Sequence, residues 1–546
     1  MHVYVSEHRD TLREIASRYH YDTEYLLSLN PHIPDADLKL AAGIQIKRPA
    51  QLLPVREISD AAAPCAIEPP LPLLDQWIPL TAIEKMAKTD YDVLIIGSGA
   101  GGGAALWRLC EQLGDNSKRI GMIEAGDLML PTHAFNLPTF DEKSAEAYLL
   151  RVADFTGKIW PDYSGSKLLR ALGGRTLFWY LFSPRFDPAA FRSWPITYKD
   201  LLPYYQVAER IMNVTSNYAK GSSLQEVLLE RLLMGGFPEA TDIRMAADLE
   251  GTKYGQVHSN VFFSSILFLA YAMNIRHFDL AVNTRAIQIL TEKGAATGVK
   301  VMTTDKKTYT LKAKTIILSA STWETPRLLL NSNIPGEAIG KYLVHHPVYV
   351  TKATVNRDLF PEIFGVAAIY VPATAERNYQ LQIFSEFIFK YMKRPLQVKE
   401  QLEVHGYGIV EPRAENYVSL DPARRDEFGV PVLNVHFSFN EKDQALLREI
   451  STALPVFSST MGITLEKPFQ LTLTGYDNHE SGTCRMGNNP ATSVTNRFGQ
   501  VHGITGLYIA DNSVVNLTSP ANPTLTTVAL AIRTADHIVE RANQGV

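Results

Sequence analysis

The sequence predicts an α/β chain in which a doubly wound, mostly parallel sheet is interrupted by a second, largely antiparallel layer and preceded by a small βααβ unit. Three stretches predict it. Tyr91 to Gly102 reads as a buried strand running into a glycine turn and a helix, with Ile120 to Gly126 as the next strand. Residues 348 to 474 alternate apolar positions as antiparallel strands do, for instance in Leu433-Asn-Val-His-Phe-Ser-Phe439. Residues 1–49 carry their own strand, helix, helix and strand signals.

Composition narrows the function classes. At 546 residues the chain is too long for one ordinary domain and holds material for two or three. A net charge of -4, with 20% charged residues and no long basic run, leaves no footprint for nucleic acid or an anionic membrane surface. No stretch approaches a transmembrane span, and Met1-His-Val-Tyr-Val-Ser-Glu7 lacks the basic start and apolar core of a secretory signal. The expectation is a soluble chain, cytoplasmic by default, with export by another route left open. Cys65, Cys110 and Cys484 show neither CxxC nor His-rich spacing, so neither a disulfide framework nor a metal site is expected.

The elements follow in order. In residues 1–49, Val3-Tyr-Val is a strand, Asp10-Thr-Leu opens a helix carrying Leu12, Ile15, Ala16 and Tyr19, Thr23 to Leu29 supplies a second stripe, and Gly43-Ile-Gln-Ile-Lys47 closes the unit. Prolines from Pro49 through Pro72 mark residues 50–88 as a linker. Residues 89–347 form the first part of the nucleotide domain. Within them Leu280–Leu290 and Ala296–Met302 read as a meander around Glu292-Lys-Gly294, Lys314–Ala320 as a buried strand, and Thr325 onward as a helix. Residues 348–474 are the substrate-facing layer, and residues 475–546 return to the nucleotide domain.

The glycine turn carries the first chemistry. Gly97, Gly99 and Gly102 allow a tight turn and close approach of backbone to a pyrophosphate, which the N-terminus of the following helix attracts. Glu124, at the end of the next strand, is placed to accept hydrogen bonds from a ribose diol and would repel a 2′-phosphate. An FAD or NAD site is therefore expected rather than one for NADP.

Further blocks carry a family resemblance. Leu172-Gly173-Gly174-Arg-Thr-Leu-Phe178-Trp179 leads to Trp194-Pro-Ile-Thr-Tyr-Lys-Asp-Leu-Leu-Pro-Tyr-Tyr205. Ile317-Leu-Ser-Ala-Ser-Thr-Trp-Glu-Thr-Pro326 precedes Gly340-Lys-Tyr-Leu-Val-His345-His346-Pro347, and Asn416-Tyr-Val-Ser-Leu-Asp421-Pro422 follows. Last come His479-Glu-Ser-Gly482-Thr-Cys-Arg-Met-Gly487, Gly506-Leu-Tyr-Ile-Ala-Asp511 and Asn522-Pro523-Thr524. Together they resemble the glucose-methanol-choline (GMC) oxidoreductases over roughly residues 90 to 541. Residues 1–49, through Asp10-Thr-Leu12, Ile15-Ala16, Leu29-Asn-Pro31 and Gly43-Ile44, resemble the LysM module. The implied fold is an FAD-binding Rossmann-like domain with an inserted substrate domain, behind a LysM-like unit.

That resemblance implies an FAD-dependent oxidase or dehydrogenase acting on a small alcohol or sugar, with oxygen or a quinone as electron acceptor. His479 and Asn522 fall where the family places its active-site pair. An imidazole can accept the hydroxyl proton, and an amide can orient the same oxygen. Asn522 has a rival role as the cap of the helix that Pro523 opens. The resemblance brings Gly173-Gly174 against the flavin, points the helix start at Pro523-Thr524 toward it, and brings Asp511 near the cofactor. Some relatives attach flavin to a histidine where this chain has Phe178, so noncovalent FAD is expected. His345 and His346 are expected to be structural. Two alternatives stand beside the oxidoreductase: an FAD-containing lyase of the hydroxynitrile lyase type, and a glycan-binding or assembly protein with a vestigial flavin domain. For the LysM-like unit, binding of N-acetylglucosamine-containing glycans and a docking role both remain open.

Overall fold

The structure is a computed structural model that describes all residues except 1, 7–8, 20, 49–76, 138, 156–159, 251, 254–255, 258–259, 357–364, 386–398, 468 and 545–546. The chain divides into two compact units, Met1–Leu71 and Pro72–Val546.

The first unit has the βααβ order. Strands His2–Val5 and Gln45–Arg48 pair antiparallel, with helices Leu12–Tyr19 and Thr23–Ser28 between them in sequence. Leu12, Ile15, Ala16, Leu26 and Ile46 are fully buried and form its core. Such a small core needs polar ties. Asn30 supplies one: its amide donates to Leu26 O and Lys47 O, each at 2.8 Å, and accepts from Lys47 N, locking the second helix to the closing strand.

Most of the proline-rich stretch, residues 50–76, lies outside the described residues. Its expected continuation to residue 88 is corrected by what the structure does there. Ile78 and Met86 are fully buried in the large core, Ile83–Met86 is a short helix, and Thr81 donates from N to Leu280 O and from Oγ1 to Asp279. The apolar residues at 78, 83 and 86 give this segment a face to bury, which proline counting overlooked.

In the second unit, strands Asp279–Ala281, Ile120–Ile123, Asp90–Ile96 and Thr308–Leu318 lie side by side in parallel, with Leu507–Ile509 also parallel on Thr308–Leu318. Ala295–Thr303 and Thr284–Glu292 extend the sheet as an antiparallel meander. The stretch read as one strand from Leu280 is thus two, because Asn283 turns the chain at φ 53° and sends each half to a different neighbour. Two helices cover one face: Ala100–Leu113, which follows the glycine turn, and the terminal helix Thr524–Asn543. Arg108 joins them through a two-pronged ion pair to Asp536 at 2.6 and 2.8 Å.

The second layer is antiparallel, as expected. Val348–Asn356, Lys399–Tyr407, Gln380–Ser385 and Ala368–Val371 are consecutive neighbours. It also recruits Thr241–Asp242 as an edge strand, and helices Ser223–Met234 and Glu441–Met461 bury Leu228, Leu232, Leu454 and Phe457 behind it. The Leu433–Phe439 alternation belongs elsewhere. Pro431–His436 pairs with Tyr417–Arg425 as a separate hairpin packed on Trp160, Tyr163 and Trp323. Period-two patterning reveals a strand, not which sheet holds it. No described helix is long and apolar enough to cross a membrane.

Candidate active site

A cavity of about 490 Å³ runs from the glycine turn to the antiparallel layer. Gly97 has φ 97°, and a Cβ there would sit 2.3 Å from Ser319 O. Gly101, unflagged by the motif reading, is held tighter, with a Cβ 1.7 Å from Ala510 O; Gly102 would bring one within 2.0 Å of Gly97 O. The helix begins at Ala100, and its Gly101 and Gly102 pack directly on backbone. Gly99 differs from these. Its φ is ordinary, and a Cβ would meet nothing within 4 Å because the position borders the cavity. The space it leaves, at helix amides that lack partners within the helix, suits a pyrophosphate.

Glu124 is buried at the end of strand Ile120–Ile123. It accepts from Ser98 N and Oγ at 3.0 and 2.6 Å and from Gly126 N at 2.9 Å. Burial pushes its carboxyl above the usual range, and these bonds pull against that shift. Ser98 also accepts from Gly173 N at 3.0 Å, which ties the Gly173-Gly174 loop to the turn. Gly173 and Gly174 both have positive φ, and Gly174 lies against Gly99. Gly97, Gly99, Gly101, Gly174 and Glu124 thus line the cavity together, with Gly102 and Gly173 packed behind them. The shape of the cavity and its donors fit FAD.

Asp511 lines the same cavity but is fully engaged in its own turn. Its Oδ1 accepts from Ser513 N and Oγ, and its Oδ2 from Ser321 N and Thr325 Oγ1. The side chain pins the start of helix Ser321–Asn331, which begins four residues before the expected Thr325.

At the far end His479 and Asn522 meet, with Asn522 Nδ2 3.3 Å from His479 Nε2. The terminal helix takes Pro523 as its N-cap and has no side-chain cap bond, so Asn522 is not withdrawn to cap it. Gln382 and Gln380 instead donate from Nε2 to Asn522 Oδ1 at 2.7 and 3.3 Å, turning the amide NH₂ toward His479. Pro523 and Thr524 line the cavity, so the first turn of that helix borders the same space.

His346, expected to be structural, is part of this group. Its Nδ1 is 3.0 Å from His479 Nδ1, and its Nε2 is 2.8 Å from Ser519 O. Burial lowers its pKa to about 3 and that of His479 to about 4, the latter against the pull of Asp477. Both rings are neutral near pH 7, with one proton each. A carbonyl only accepts, so His346 carries its proton on Nε2 and receives a bond at Nδ1. His479 then holds its proton on Nδ1, and its Nε2 lone pair faces Asn522 and the cavity. Asp477 completes the frame. It accepts from His479 N and His346 N, and pairs with His345 Nδ1 at 2.9 Å. Burial works against its ionisation, but His345 and the other two imidazoles hold it well below the usual carboxylate range.

These residues escaped sequence reading for a physical reason. Two adjacent histidines point in different directions on extended backbone, so their adjacency announces no common ligand. Here both grip Asp477, one by its ring and the other by its amide. His346, Asp477 and His479 bring ligand atoms within 4.8 Å of one another, but the same atoms are already joined by hydrogen bonds that set proton positions. Arg175, from the Gly-Gly loop, adds a cation. It pairs with buried Glu480 at 2.6 Å, and Trp323 Nε1 donates to that carboxylate at 3.0 Å.

The chain is similar to several known proteins. The chain is 25% identical to a 2-methyl-1,2-propanediol dehydrogenase of Mycolicibacterium austroafricanum, over 82% of this chain and 95% of that one. It is 27% identical to a C-glycoside 3-oxidase of Arthrobacter globiformis, over 70% and 77% respectively. Its fold is similar to that of a formate oxidase of Aspergillus oryzae, with a TM-score of 0.62 at 16% identity, covering 84% of this chain and 99% of that one. Residues 168–348 and 412–531, more than half of the sequence between them, match the two parts of the GMC oxidoreductase family. With the glycine turn, the buried acid and the His/Asn end gathered on one cavity, the chain belongs to the GMC oxidoreductase family, FAD-dependent enzymes that act on CH–OH groups.

Proposed function

We propose that the protein oxidises an alcohol or sugar hydroxyl, with His479 Nε2 as the proton acceptor and Asn522 Nδ2 holding the same oxygen. FAD bound along the glycine turn supplies the hydride acceptor. The observation that carries this reading is the assigned lone pair on His479 Nε2, enforced through His346 from Ser519 O. A hydroxyl between His479 and Asn522 gives its proton to Nε2 while Asn522 donates to the oxygen, which directs the carbon-bound hydrogen to the flavin side. Asp477 fixes the His479 backbone, and the buried His346 ring behind it holds the imidazole with its Nε2 toward the cavity. Neither the lyase nor the vestigial alternative is favoured by the relatives, which are oxidases and dehydrogenases by name. The test is anaerobic mixing with a panel of alcohols and sugars: flavin absorbance bleaches with a substrate, and air or a quinone then restores it. A panel that leaves the flavin oxidised throughout would refute the reading.

The reading extends to cofactor attachment and to the first unit. Phe178 borders the cavity and offers no nucleophilic nitrogen, which supports noncovalent FAD. The βααβ order of the first unit supports a LysM-like module, with N-acetylglucosamine-containing glycans as its ligand class. Calorimetric titration of the full chain with chitin oligosaccharides tests this, and absence of heat would assign the unit to docking.

A further inference from the structure

The antiparallel layer presents the cavity with one polar wall. Strand Lys399–Tyr407 runs between Val348–Asn356 and Gln380–Ser385, and its period of two sends Leu402 and Val404, both fully buried, into the core behind the sheet. Glu403, His405 and Tyr407 therefore face the cavity, and all three line it. They are joined in a ladder. His405 Nε2 is 3.0 Å from Glu403 Oε2, and His405 Nδ1 is 3.0 Å from Tyr407 Oη. The Tyr407 ring lies 5.8 Å from that of His479, so the ladder starts beside the proton acceptor and leads away from it.

Proton positions along the ladder follow from its ends. Burial opposes ionisation of Glu403, but its bond to His405 holds the carboxyl below its usual range, with Lys352 opposite on the neighbouring strand assisting. An ionised carboxylate only accepts, so a neutral His405 ring gives Glu403 its proton from Nε2. Nδ1 is then a lone pair, and Tyr407 must donate its hydroxyl proton there. Burial keeps the phenol protonated. The Tyr407 oxygen is left with lone pairs alone, as a fixed acceptor next to His479. A substrate with one hydroxyl has nothing left for this acceptor once His479 and Asn522 hold that hydroxyl. A neighbouring hydroxyl fills it.

We propose that the Glu403–His405–Tyr407 ladder makes the enzyme specific for a substrate with a second hydroxyl beside the reacting carbon, a polyhydroxylated ring rather than a simple alcohol. This rests on the reading that His479 and Asn522 receive the reacting hydroxyl. Strand geometry puts the Glu403 and Tyr407 Cα atoms about 13 Å apart, room for hydroxyls along a whole pyranoside. Phe384, on the adjacent strand, offers an apolar face to the same ring. A site built to bond a hydroxyl rejects an analogue that lacks it far more strongly than an apolar pocket rejects a missing methylene.

The test uses the holoenzyme with three probes: cyclohexanol, trans-1,2-cyclohexanediol and methyl β-D-glucopyranoside. Binding is measured by anaerobic calorimetry and turnover by flavin reduction. The wild type should favour the glucoside, then the diol, over cyclohexanol by at least about tenfold in kcat/KM. Tyr407→Phe should cut the glucoside-to-cyclohexanol ratio by about tenfold, mainly through KM, and Glu403→Gln, which releases the fixed tautomer of His405, should cut it by a smaller factor. Equal losses for all probes would make the ladder merely structural and overturn the proposal. So would a wild type that prefers cyclohexanol, variants that leave the ratio unchanged, or no binding of the glucoside. Glucoside binding that weakens in Tyr407→Phe without any flavin bleaching would uphold the ladder and refute the oxidation reading instead.

Discussion

Gln382 donates from Nε2 to Asn522 Oδ1 at 2.7 Å, and this bond decides which end of the Asn522 amide faces His479. Gln380 supports it from two residues away on the same strand face. Gln382→Met should leave the amide free to turn and slow flavin reduction by about fivefold to tenfold, the worth of one hydrogen bond. Gln382→Glu should be worse, because a carboxylate repels Oδ1 and draws the NH₂ away from His479. Stopped-flow reduction rates for the two variants check both the size and the order.

Replacing His479 by Ala should lower the reduction rate by about 10² to 10⁴, the span of general base catalysis, while FAD stays bound through the glycine turn and Glu124. Asn522→Ala should slow reduction with little change in melting temperature, because no cap bond is lost at the terminal helix. A fall in melting temperature with normal kinetics would return Asn522 to a structural role. Kinetics and thermal melts on the same preparations separate the two.

Low pH should act through the buried histidines. His479 and His346 ordinarily titrate at 6.5, and burial lowers them to about 4 and about 3. The unfolded chain therefore binds their protons first as pH falls, so their contribution to stability is complete above 6.5 and is lost progressively below it, toward their folded values. The kcat/KM profile should accordingly keep its plateau below pH 6.5 and fall only near pH 4. Urea melts and initial rates between pH 4 and 8 test this, and an acid limb at 6.5 would contradict a buried His479.

Truncation should be sensitive to where it cuts. A chain beginning at Pro72 should keep flavin, whereas one beginning at Thr89 removes Ile78, Ile83 and Met86 from the core and the Thr81 bonds to Asp279 and Leu280. Each buried aliphatic side chain is worth about 1.5–3 kcal/mol, so the shorter form should lose several kcal/mol and release FAD more readily. Flavin retention after gel filtration, with denaturant melts, compares the two.

Flavin should leave the acid-precipitated protein as free FAD, since Phe178 replaces the attachment histidine of some relatives. Yellow colour left in the pellet would contradict this and call for a search for another attachment residue by peptide mass.

Sequence by itself determined the local frame: the strand, glycine turn and helix at Tyr91–Leu113, the acid at Glu124, the His479 and Asn522 blocks, and an antiparallel layer after residue 348. The strand, turn, acid and layer are readable because each depends on neighbours along the chain, through periodicity, turn geometry and spacing, whereas the His479 and Asn522 blocks are readable through their resemblance to the GMC family. What only tertiary structure decided is which groups from distant segments share a hydrogen bond. The pairing of His346 with His479 spans 133 residues, and the grip of Gln382 on Asn522 spans 140. Neither leaves a local pattern, because a histidine or glutamine on a strand looks the same whether it faces a core or a cavity. The positions of protons follow the same rule. Ser519 O, at one end of the chain of bonds, dictates where His479 keeps its lone pair, and a carbonyl carries no identity in sequence.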